Sequence, residues 1–224
     1  MIKPHPPLFV AVFVDPMFQE NSLLISAAET DADCWIIDPG FDPQPEDTLT
    51  DIRERRLRPS AILLTHCHVD HIAGIGTIRS ELPDIPIWCP ADERHMLLDP
   101  MANFSGLYGV PIVAPDADRL LKPGERLRLG EIEFEARDVA GHSPGGLAYY
   151  CAAAGIVVGG DALFSGGIGR YDFPGSSGER LIANIRSSLL TLPGETVLYP
   201  GHGPSTTIAR EARYNPYLQP GFPL

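Results

Sequence analysis

Apolar residues gather along this chain in short runs: Leu8 to Val14, Ser22 to Ser26 and Cys34 to Ile37 come first, the last ending in Asp38-Pro39-Gly40. Runs of this length, rich in Val, Ile and aromatic residues and closed by turn formers, predict strands. A proline-rich, acidic stretch then leads to a helix predicted from about Glu46 to Leu57, and Ile62 to Leu64 forms the next strand. From Asp70 to Leu82 the period changes. Ile72, Ile75, Ile78 and Leu82 recur every three or four residues, which lays one apolar stripe along a helix with Asp70 capping its start. The strand Ile85 to Trp88 follows.

Residues Asp92 to Val113 lose this regularity and read as a helical excursion or a loop. Alternation resumes in Arg126 to Leu129 and Ile132 to Glu135, the mark of half-buried strands, with further runs at Leu147 to Cys151, Gly155 to Val158 and Thr196 to Tyr199. Between them Leu181, Ile185 and Leu189 repeat at fourfold spacing within a helix predicted over Ser177 to Leu190. No linker divides the chain, so residues 1–224 are expected to form one domain. Its two mixed β/α halves would stack sheet against sheet, an α/β fold with an αββα sandwich of two mixed β-sheets covered by outer helices.

Four strand ends run directly into polar residues: Leu64 into His66, Val139 into His142, Val158 into Asp161 and Leu198 into His202. The first opens Thr65-His66-Cys67-His68-Val69-Asp70-His71, with three imidazoles and a carboxylate crowded together. The others lie in Gly141-His142-Ser143-Pro144-Gly145, Gly159-Gly160-Asp161 and Tyr199-Pro200-Gly201-His202-Gly203, where glycine and proline favour sharp turns and close access. Taken singly, a buried aspartate can cap a helix and a histidine can bond a carbonyl. Converging on one rim, five imidazoles and two carboxylates exceed the needs of one tetrahedral ion. Two divalent metal ions fit this inventory, zinc first, with iron or manganese compatible with the same donors. Cys67 alternates with His66 and His68, so in an extended stretch its thiol points away and packs. Ligation and redox reactivity are the alternatives.

Composition narrows the partners. The chain is 44% hydrophobic and 21% charged with a net charge of -12, and no basic segment concentrates positive charge, which disfavours nucleic acid. Leu8 to Val14 is too short for a membrane span or a signal peptide, so a cytoplasmic protein is expected. Cys34, Cys67, Cys89 and Cys151 have neither paired spacing nor a CxxC zinc knuckle.

The residues HCHVDH at 66–71, GHSPG at 141–145, GDALF at 160–164 and YPGHG at 199–203 resemble the metallo-β-lactamase superfamily in its hydroxyacylglutathione hydrolase, or glyoxalase II-like, branch. GGIGRYDFPG at 166–175 and the stretch from Arg213 to Leu218 resemble small, single-domain members of that branch. The resemblance implies that His66, His68 and His142 bind one metal, that Asp70, His71 and His202 bind a second, and that Asp161 bridges them. Arg170 and Asp172 either support this site or form an ordinary salt bridge.

It further implies hydrolysis of a small-molecule thioester, S-lactoylglutathione or another 2-hydroxyacyl thioester, with Asp70 and Asp161 as catalytic residues. A thiol titrates near 8.5, so the thiolate leaves without a dedicated general acid. Longer glyoxalase II proteins carry a helical C-terminal region that contacts glutathione, whereas about 22 residues follow His202 here. Tyr171, Tyr214 and Tyr217 are candidates for a replacement pocket. Two alternatives come from other classes. One is an Fe(II)-dependent persulfide dioxygenase using His66, His142 and Asp161. The other is a non-catalytic binding module with a structural metal centre.

Overall fold

The computed structural model describes residues 8–222, so the proline-rich start and the last two residues lie outside the described residues. The first half contributes β1 (Phe9–Val14), β2 (Asn21–Ser26), β3 (Asp33–Ile37), α1 (Gln44–Arg55), β4 (Arg58–Leu63), α2 (Val69–Ile72), α3 (Ile75–Glu81), β5 (Ile87–Pro90), α4 (Arg94–Leu98) and β6 (Arg119–Leu121). The second contributes β7 (Arg126–Leu129), β8 (Ile132–Asp138), β9 (Leu147–Cys151), β10 (Ile156–Gly160), the hairpin β11 (Leu163–Phe164) and β12 (Gly167–Ile168), α5 (Gly178–Asn184), β13 (Val197–Pro200), β14 (Thr206–Thr207) and α6 (Ile208–Tyr214).

Two six-stranded sheets result, in the orders β1-β2-β3-β4-β5-β6 and β14-β13-β10-β9-β8-β7. Both are mixed. In the first, β1 to β3 pair antiparallel and β3 to β6 parallel; in the second, β10 and β13 are the parallel pair. Side chains alternate across a strand, and here both faces of a strand are buried. Cys34 and Ile36 of β3 join Leu49, Ile52, Ile72 and Ile78 in the layer beneath the first helices. Trp35 and Ile37 turn the other way and meet Phe134, Leu147 and Tyr149 between the sheets. On the far side Val157 and Leu198 pack against Leu181, Ile185 and Leu189. Three apolar layers therefore separate four structural ones, the αββα sandwich expected from the sequence.

The single helix expected over 70–82 is two. Gly74 donates its N–H to the Pro39 carbonyl instead of continuing the ladder, and a Cβ there would collide with Pro45 and Gly40, so α2 stops at Ile72 and α3 restarts at Ile75. Asp70 does not cap this helix: the N-cap position is His68, and no side chain bonds there. The helix expected over 177–190 begins with Ser177 accepting from the Arg180 N–H and widens into a π turn at Ile185–Leu189. β6, β14, α6 and the β11–β12 hairpin are too short or too polar to show a period.

Candidate metal centre

Each of the seven expected metal ligands stands beyond the C-terminal end of a strand. β4 leads to His66, His68, Asp70 and His71, β8 to His142, β10 to Asp161 and β13 to His202. The first of these loops is tied to the second sheet: Leu147 donates its N–H to the Thr65 carbonyl at 2.8 Å, and the Tyr149 hydroxyl donates to the Leu64 carbonyl at 2.5 Å. Two turns come close enough that only glycine fits. A Cβ on Gly160, at φ 50°, would strike Thr65, and one on Gly201 would strike Asp161.

Donor atoms converge as three groups of three: Asp38 with His66 and His71, and the two the sequence singled out, His66 with His68 and His142, and Asp70 with His71 and His202. Asp161 lies between the latter two, with Oδ2 at 3.4 Å from both His142 Nε2 and His202 Nε2, and Oδ1 at 3.5 Å from His71 Nε2. Asp70 Oδ2 is 3.3 Å from His202 Nε2. The back of four of the five imidazoles is engaged. His142 Nδ1 donates to the Arg170 carbonyl at 2.8 Å and His202 Nδ1 to the Phe18 carbonyl at 3.0 Å, which turns their Nε2 lone pairs inward. His71 Nδ1 lies 3.1 Å from Asp38 Oδ2, and His66 Nδ1 lies 3.1 Å from the Thr65 hydroxyl.

A divalent cation fits this donor set. His66 Nε2, His71 Nε2 and Asp161 Oδ1 are buried and have no hydrogen-bond partner, a costly arrangement unless a cation is the partner. His68 Nδ1 and His142 Nε2 face each other at 2.9 Å, two ring nitrogens competing for one electrophile. Electrostatics separates the groups. Burial and neighbouring imidazoles hold His66 well below the usual histidine range, and burial, with His142, takes His68 down to about 3. Burial also opposes charge on His71 and His202, but carboxylates outweigh it: Asp161 and Asp70 raise His71 well above its usual value and His202 to about 10.

The sequence profile of the Metallo-beta-lactamase superfamily matches residues 15–202, which spans both donor groups. The chain belongs to the metallo-β-lactamase superfamily. Among superfamily relatives, it is 41% identical to the probable metallo-hydrolase YqgX of Bacillus subtilis, over 94% of this chain and 97% of that protein. It is 36% identical to the hydroxyacylglutathione hydrolase GloC of Haemophilus influenzae, over 90% and 93%. Three solved structures are similar: BLEG-1, a B3 metallo-beta-lactamase (TM-score 0.86, 37% identity, 94% and 99% covered), TTHA1623 in a di-iron-bound form (0.80, 37%, 94% and 100%) and ETHE1 from Myxococcus xanthus (0.76, 26%, 93% and 83%).

Above the superfamily's donor groups lies a cavity of about 240 Å³ with an aromatic wall of Phe18, Phe104, Tyr108, Phe164 and Phe173. Tyr171, Tyr214 and Tyr217, the tyrosines expected in a pocket, do not line it. Tyr214 is exposed and Tyr217 packs on Phe222. Arg170 lines the cavity and pairs with Asp172 at 2.9 Å, both exposed, so this pair is an ordinary surface salt bridge whose main chain serves His142. Cys67 points away, with Sγ 3.4 Å from Cys89 Sγ, and all four cysteines are free and buried.

Sequence reasoning missed Asp38 and Glu93. Asp38 sits at φ 49°, a left-handed conformation aspartate tolerates, and accepts from the Thr65 N–H and hydroxyl at 2.7 and 2.6 Å. Its signal was present, because Asp38 follows β3 as His66 follows β4. Glu93 ends a one-turn 3-10 helix, Ala91–Glu93, with no motif around it.

Proposed function

We propose that this chain is a metal-dependent thioester hydrolase acting on S-lactoylglutathione or another 2-hydroxyacyl thioester. The observation that carries the reading is Asp161 standing between two donor groups, each of which holds a buried imidazole nitrogen without a hydrogen-bond partner, His66 Nε2 in one and His71 Nε2 in the other. His66, His68 and His142 would hold one divalent ion, Asp70, His71 and His202 the second, and Asp161 both. Zinc suits neutral imidazole with carboxylate, and the di-iron form of TTHA1623 keeps iron beside it. When bound, such ions make water nucleophilic near neutral pH and polarise a carbonyl oxygen.

The chain's own groups then divide the work. Asp70 and Asp161 turn carboxylate oxygens toward the cavity floor and orient the attacking water. The aromatic wall holds a short acyl group and excludes bulk water. Attack at the carbonyl carbon forms the C–O bond, collapse of the oxyanion breaks the C–S bond, and the thiolate departs without a proton from the protein. The relative GloC supports glutathione as the thiol. A cytoplasmic small-molecule enzyme with no nucleic-acid or membrane partner agrees with the charge of -12. Among the described residues, no helix is long and apolar enough to cross a membrane.

The alternative with a specific observation behind it is an Fe(II)-dependent persulfide dioxygenase, because His142 and Asp161 meet at 3.4 Å beside His66. A single panel separates the readings: metals per chain, then thioesters, lactones and glutathione persulfide assayed with zinc and with iron. We expect lactoylglutathione hydrolysis that a chelator abolishes and added metal restores. Rapid oxygen uptake on persulfide without thioester cleavage overturns the hydrolase. A folded protein that takes up no metal after reconstitution identifies a non-catalytic module.

A further inference from the structure

We propose that Glu93 is a positioning residue for the first donor group, holding His66 and His68 in register with His142, and that Asp70, His71 and His202 do not depend on it. The inference rests on the metal-centre reading above.

Glu93 is fully buried, and its two oxygens reach two loops that belong to different sheets. Oε2 accepts the Cys67 N–H at 2.6 Å. Oε1 accepts the Ser143 hydroxyl at 2.5 Å and the Gly145 N–H at 2.8 Å. Cys67 stands between His66 and His68, and Ser143 follows His142, so one carboxylate spans the three residues of a single group. The approach is tight: a Cβ on Gly145 would come within 2.8 Å of Asp92 Cβ and 3.2 Å of Glu93 Cγ.

Burial drives the Glu93 carboxyl toward its neutral form, and the three donors oppose that. Packing alone calls for no carboxylate here, but joining backbone donors on opposite sides does. Glutamine has the same shape and only one carbonyl oxygen, so its amide must face a backbone N–H on one side or the other, and one loop loses its tie. The second group has a carboxylate of its own, since Asp38 holds the His71 ring. Cys67 thus acts through its main chain while its thiol packs on Cys89.

The test removes one donor group at a time. Zinc-loaded His202→Ala protein retains the first group and zinc-loaded His68→Ala protein retains the second; each is titrated with a chelator, with and without Glu93→Gln. In the His202→Ala background, Glu93→Gln should lower the chelator concentration that strips the metal by about 10- to 100-fold, the usual cost of losing a group that orients ligands. In the His68→Ala background the change should stay within roughly twofold. Ser143→Ala removes one of the three donors and should shift the same background by less; it decides the question if Glu93→Gln does not fold. Equal shifts in both backgrounds, or none in either, overturn the inference, as does a lowered melting temperature of metal-free protein without any difference between backgrounds. Wild-type protein that takes up no zinc overturns the metal-centre reading itself, a result separate from these.

Discussion

The two donor groups draw on the same loops and solve different problems. His66, His68 and His142 are all buried imidazoles, burial holds the first two well below the usual histidine range, and their supporting carboxylate, Glu93, grips the backbone of the loops. Asp70, His71 and His202 include a carboxylate donor, touch Asp161, and are supported at a side chain, where Asp38 meets the His71 ring. The first group is defined by where the chain runs and the second by how a ring is turned. Loop geometry is therefore the vulnerable property of one, and ring orientation of the other.

Asp161 is common to both, so its loss breaks the comparison most severely. Asp161→Asn should remove at least one metal per chain and lower kcat/KM by about a thousandfold or more, since several kcal/mol of transition-state stabilisation are lost. Elemental analysis with thioester kinetics checks this, and a variant that retains two metals and near-normal turnover refutes the bridging role. Asp38→Asn should weaken the second group by about 10- to 100-fold in chelator competition, and the first by less, since Asp38 also holds Thr65 beside His66. An equal loss from both groups would merge the two devices into one. Cys67→Ala should have the smallest effect: about 1 kcal/mol of stability for a buried sulfur, read as a modest fall in melting temperature, with metal content unchanged. Lost metal in that variant would make Cys67 a ligand.

Much of this was legible in the sequence because two periods carried it. The runs that became β2, β3, β4, β9, β10 and β13 are short and continuous because both faces of those strands are buried, and Leu181, Ile185 and Leu189 kept their fourfold spacing on one packed face. All seven candidate site residues announced themselves as polar groups directly after such runs, and the structure brings them to one rim. What escaped notice was governed by contact across the fold. The break at Gly74 depends on the Pro39 carbonyl and on Pro45, which no local window contains. Glu93 takes its meaning from Cys67, Ser143 and Gly145, and Phe104 and Tyr108 reach the cavity from a segment without a period.

The bonds from Leu147 and Tyr149 to the Thr65 and Leu64 carbonyls bear on how the protein assembles. They join the first histidine loop to a strand of the other sheet, so neither half of the chain can present a finished donor group before the sheets dock. Contacts so distant in sequence form late, after the entropy of closing the intervening loop has been met. An ion that recognises only the docked state draws the population toward it by mass action. Metal supply then becomes a determinant of how much folded protein accumulates, apart from any part in turnover.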